Sequence, residues 1–76
     1  MAGEHCFTVI LEPLEEGGFN VLVPGLPEVA TFGETEAEAL AMAEDAIRLA
    51  ISYRLDHGEE LPKESRPEVR QITVPV

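Results

Sequence analysis

The sequence predicts an α+β protein: a small antiparallel sheet with one long helix packed on one face, in the order β-β-β-α-β. Three observations predict it. Apolar residues alternate over 19–23, prolines stand at 24 and 27, and an alanine-rich run follows the pair Thr35 and Glu38.

The first strand is placed at 6–11, with Phe7, Val9 and Leu11 on one face and Thr8 and Ile10 on the other. That is the two-residue period of a strand with one face in a core, although Ile10 makes the second face partly apolar. Glu15, Glu16, Gly17 and Gly18 form a turn whose glycines are free to take positive φ. The chain returns at 19–23, where Phe19, Val21 and Val23 alternate with Asn20 and Leu22. Pro24 and Pro27 forbid regular pairing, so a corner separates this strand from a short third one at 29–32.

Gly33 allows a tight exit toward the helix, and Thr35 with Glu38 reads as a capping box. The Thr35 hydroxyl accepts from the amide of Glu38, and the Glu38 carboxylate reaches back to the amide of Thr35. Glu34, Glu36 and Glu38 place negative charge at the positive end of the helix dipole. From Glu36 to about Asp56 the apolar residues fill an arc of roughly 200° when set at 100° per residue. Its centre is Ala39, Ala43, Ala46 and Ala50, small enough for close approach to the sheet. Its flanks are Met42, Leu49 and Tyr53 on one side and Leu40, Ile47 and Ile51 on the other. So wide an arc exceeds what one sheet face covers. The flanks wrap over the sheet or meet a second chain, and for Met42 and Tyr53 such packing is favoured over a ligand site. Gly58 stands just past the helix with His57 at the negative dipole end, 59–68 is a polar connector, and alternating Ile72, Val74 and Val76 predict a last sheet strand at 69–76.

At 76 residues the chain is read as one domain, 1–76. A domain of this size buries about 60% of the surface its unfolded chain exposes, so association would help it. No apolar run approaches the roughly 20 residues of a membrane span, and the first residues lack a signal-peptide layout, which makes the cytoplasm the expected location. The net charge is −10, and all five basic residues, Arg48, Arg54, Lys63, Arg66 and Arg70, lie at or beyond position 48. An acidic first half repels phosphate, so this chain alone is not expected to bind nucleic acid, whereas a basic protein partner suits it. A plain solubilising surface is the alternative.

Chemistry finds little to work with. Cys6 is the sole cysteine, so no intrachain disulfide or cysteine-rich zinc site can form. His5 and Cys6 are adjacent and point to opposite strand faces, which disfavours a shared metal. The glycine pair precedes a strand rather than a helix and so is no phosphate loop. The carboxylates are explained by turns and the helix start. No catalytic residue, cofactor or metal is assigned.

The combined pattern resembles the HicB-type antitoxin family, specifically its N-terminal domain. It is carried by Gly18, Val21, Val23, Pro24, Leu26, Pro27, Thr31, Gly33, Glu34, Thr35, Glu38, Ala39, Ala43 and Ala46, and then by Gly58, Glu59, Leu61 and Pro62. The likeness covers 6–62. It implies a partial ribonuclease H-like sheet and helix without that enzyme's carboxylates, and a role in neutralising a small basic RNA-cleaving toxin of the HicA type. Two departures stand out. Gly25 and Glu28 occupy each other's usual places, and the sequence stops at Val76 where many relatives continue into a DNA-binding segment, so operator binding is not carried over. Glu15, Glu16, Glu44 and Asp45 are the candidate partner-facing acids, and Met42, Leu49 and Tyr53 form the candidate oligomer or core face. Pro24, Leu26, Pro27, Gly33, Thr35 and Glu38 are structural. The rival reading is a stand-alone oligomeric domain that binds a small ligand or another protein and has no toxin partner.

Overall fold

The computed structural model describes residues 5–62 and 66–76. Three antiparallel strands, β1 (Ile10–Pro13), β2 (Phe19–Leu22) and β3 (Ala30–Gly33), form a sheet in the order β1-β2-β3. The helix α1 (Glu36–Asp56) packs over β3 and β2. This is the expected α+β architecture, with the helix on one face.

The β1 ladder starts at Ile10, opposite Leu22, rather than at Cys6. Beyond that point the facing chain has turned away at Pro24, and the β1–β2 ladder does not extend into 5–9. Phe7 and Val9 nevertheless keep the predicted phase and pack half-buried against the core with Leu11. The corner is two successive turns, closed by Leu26 N–H to the Val23 carbonyl at 2.9 Å and Val29 N–H to the Leu26 carbonyl at 2.8 Å. Each has proline at its second position, where the fixed φ is already the one required. The shared residue, Leu26, is completely buried, and it forms the core with Val21, Val23, Val29, Ala39 and Ala43.

Gly33 is needed for space. A Cβ at that position would overlap the backbone N and Cα of Ala39, so the first helical turn presses directly on the end of β3. Thr35 caps the helix as expected, its Oγ1 accepting from Glu38 N–H at 3.0 Å. The reciprocal half of the box is shifted, because Glu38 Oε1 accepts from the N–H of Glu34 at 3.1 Å instead of that of Thr35. At the other end Gly58, at φ +71°, donates to the Leu55 carbonyl (3.1 Å), and Glu59 N–H donates to that of Arg54 (2.8 Å). This double bond pattern satisfies carbonyls that the helix would otherwise leave unpaired.

The expected last strand at 69–76 is absent from this sheet. Val69, Ile72 and Val74 are 79%, 85% and 67% exposed. Alternation specifies which side chains a strand could bury, but a ladder also needs an edge to pair with, and this segment joins neither edge of the sheet. The radius of gyration, 14.6 Å, accordingly exceeds the about 11 Å of a compact chain this long.

Candidate functional site

The surface features that could meet a partner are of two kinds, acidic and apolar. Glu15 and Glu16 are exposed in the β1–β2 turn, which is closed by Leu14 N–H to the Gly18 carbonyl and Gly17 N–H to the Leu14 carbonyl, both 3.0 Å. The register pairs Pro13 with Phe19 and Phe19 with Gly33. The hairpin tip and the helix start therefore share one end of the sheet. Glu34, Glu36 and Glu38, all exposed, join Glu15 and Glu16 at that end. The linear sequence does not display this gathering, because the helix-start glutamates are fully accounted for by the cap and dipole. The signal that could have found it is the equal length of the two hairpin arms.

Glu44 and Asp45 lie apart from this group, exposed about two turns into α1. Glu44 is held by Arg48, whose guanidinium donates to its Oε2 at 2.7 Å, and that hydrogen bond raises the Arg48 pKa. Glu28 joins the corner to the end of the helix: its carboxylate takes two hydrogen bonds from Arg54, each 2.9 Å. Those bonds, before all other causes, hold its pKa below the usual carboxylate range. The unusual placement of Glu28 thus has a structural use. Among the described residues no polar or charged side chain is buried, and no group of His, Cys, Asp and Glu could hold a metal. His5 stacks on Phe7 with ring centroids 6.4 Å apart.

Of the predicted apolar face, Met42, Leu49 and Tyr53 are 44%, 74% and 58% exposed. Leu49 and Tyr53 border a shallow groove of about 310 Å³ beside Val29 and Ala30. The opposite flank is also open. Leu40, Ile47 and Ile51 overhang a groove of about 570 Å³ whose floor includes Phe7 and Val9. A third apolar surface was marked in the sequence at Ile10 alone. Ile10, Leu22 and Phe32 project from the sheet face opposite the helix, between 37% and 44% exposed. Their signal is that Leu22 and Phe32 occupy the phase of their strands where polar residues belong on a solvated face.

Residues 7–76 match the family described as HicB_like antitoxin of bacterial toxin-antitoxin system. The chain belongs to the HicB-like antitoxin family. It is similar to Antitoxin HicB 1 of Photorhabdus laumondii, 45% identical over 56 residues that cover 74% of this chain and 36% of that protein. Antitoxin HicB of Escherichia coli K12 is 39% identical over 56 residues, 74% of this chain and 41% of its own length. The chain therefore spans well under half of these HicB relatives. UPF0150 protein Ta0767 of Thermoplasma acidophilum is 38% identical over 63 residues, 83% of this chain and 91% of that protein. No helix among the described residues is long and apolar enough to cross a membrane. Within this HicB-like fold, Pro24, Leu26 and Pro27 build the corner, Gly33 seats the helix, and Thr35 and Glu38 cap it.

Proposed function

We propose that this HicB-like protein is a non-catalytic antitoxin that binds and neutralises a small basic RNA-cleaving toxin of the HicA type, acting in the cytoplasm as a homo-oligomer. The observation that carries this reading is the gathering of Glu15, Glu16, Glu34, Glu36 and Glu38 at one end of the sheet, in a chain of net charge −10 from an antitoxin family. Complementary charge steers such partners together and can cover a surface meant for RNA phosphates. Glu44 and Asp45 extend the acidic surface along the helix, with Glu44 partly neutralised by Arg48. The chain alone does not bind nucleic acid in this reading.

Co-expression with a candidate toxin, a small basic protein of the HicA type, tests it. Relief of growth arrest and a co-purifying complex that weakens with salt are expected, and reversing Glu15 and Glu16 to Lys weakens that complex further. Absence of both rescue and complex refutes the antitoxin role. The second reading, a stand-alone oligomeric domain that takes a small ligand or another protein, draws on the apolar groove of about 570 Å³, within the usual size of ligand sites. Full activity of the chain in cells lacking any toxin gene would favour it.

A further inference from the structure

We propose that residues 69–76 dock into the groove beside β1 of a second copy of this chain, as a fourth strand exchanged reciprocally between two protomers. The proposal rests on the homo-oligomer reading above and is independent of the toxin.

Strand and vacancy are complementary. The helix sits over β3 and β2, leaving Phe7 and Val9 on the floor of a groove walled by Leu40, Ile47 and Ile51. β1 is an edge strand, so the outer side of its backbone is open to a further ladder. Ile72, Val74 and Val76 recur at the two-residue spacing that sends all three side chains to one face, and each is 67% exposed or more. A strand laid along the β1 side would put that face against Phe7, Val9 and the helix flank. Pro75 is tolerable at the outer edge so formed.

A second copy is the occupant that the shape and charge of the chain favour. The accessible surface is 6366 Å², against about 4,600 Å² for a compact monomer of 8.3 kDa. The excess, roughly 1,800 Å² per chain, exceeds the about 800 Å² that a standard stable interface buries on each partner. Ile72, Val74 and Val76 are exposed and the groove is open, so among the described residues the strand and the groove that fits it are both unfilled. Two copies related by a two-fold axis fill both at once. Arg70 lies within the exchanged segment and Arg66 just before it, two of the five basic residues of a chain whose net charge is −10, so both would meet a strongly negative partner copy.

The test uses the isolated full chain. Sedimentation across micromolar concentrations should give twice the 8.3 kDa monomer mass. Ile72→Asp with Val74→Asp should weaken dimerisation at least about 100-fold, since charge would enter the apolar groove, while the helical circular dichroism is retained. In a mixed sample of isotope-labelled and unlabelled protomers, Ile72 and Val74 methyls of one copy should show contacts to Phe7 or Ile47 of the other. A monomer overturns both this proposal and the oligomer reading. A dimer indifferent to the double substitution, or contacts found solely within one copy, overturns the exchange and leaves the oligomer reading standing.

Discussion

The proline corner and the 69–76 segment are built from similar material, valines with a leucine or isoleucine and at least one proline, and they end in opposite environments. In the corner, Val23, Leu26 and Val29 are all at most 5% exposed. In the final segment Ile72 and Val74 are more than 60% exposed. Hydrophobicity does not separate them. The corner has two turn hydrogen bonds that fold it under the helix and a Glu28–Arg54 clamp to the helix end, whereas among the described residues no element covers Val69, Ile72 or Val74. Burial depends on what can reach a side chain as well as on what the side chain is.

That contrast is sharpest at its two central residues. Leu26→Ala should destabilise the fold by about 2–5 kcal/mol, because it empties a site with no solvent access, whereas Ile72→Ala should leave the unfolding of a dilute, dissociated chain within about 0.5 kcal/mol of the parent. Urea titration of both variants checks it, and equal losses would break the comparison. Gly33→Ala comes next, at about 1–3 kcal/mol, since the added methyl meets helix backbone that can yield only by lifting α1 off β3. Gly25→Ala, whose Cβ would stand 3.6 Å from the Phe7 ring, should be nearly neutral in the same assay. Thr35→Ala should cost about 1 kcal/mol through loss of the cap, read as a lower melting temperature.

The smallest effect concerns the clamp. Pairing with Arg54 lowers the folded-state pKa of Glu28, so its contribution is complete above the ordinary carboxylate range and is lost as pH falls through that lowered value. Both partners are solvent-accessible, which keeps the effect slight. Thermal melts of Glu28→Gln and the parent should differ at neutral pH and converge in acid. A difference that persists below the carboxylate range would show that the clamp acts through something other than charge.

Much of the scaffold was legible because it depends on local chemistry. The helix bounds at Glu36 and Asp56, the Thr35 cap, the Gly58 stop and the Pro24 and Pro27 turns each follow from a few neighbouring residues. The candidate site was legible in part. Glu15 and Glu16 could be marked as exposed acids from their place in a turn, but their grouping with Glu34, Glu36 and Glu38 comes from strand register. Met42, Leu49 and Tyr53 stood out as surplus apolar surface, while Leu22 and Phe32 passed as ordinary strand residues until the helix was seen to cover the other face alone.

By itself the sequence determined the fold class, the order of the first four elements, the caps and an apolar arc too wide for one sheet. These are set by backbone preferences and by periodicities that act over a few residues. The tertiary structure alone decided that Gly33 serves close packing, that Glu28 reaches Arg54, that the acids converge, and that the last alternating segment has no place in its own sheet. Each of these depends on distances between residues far apart in the chain, and such distances exist only once the helix has settled on the sheet.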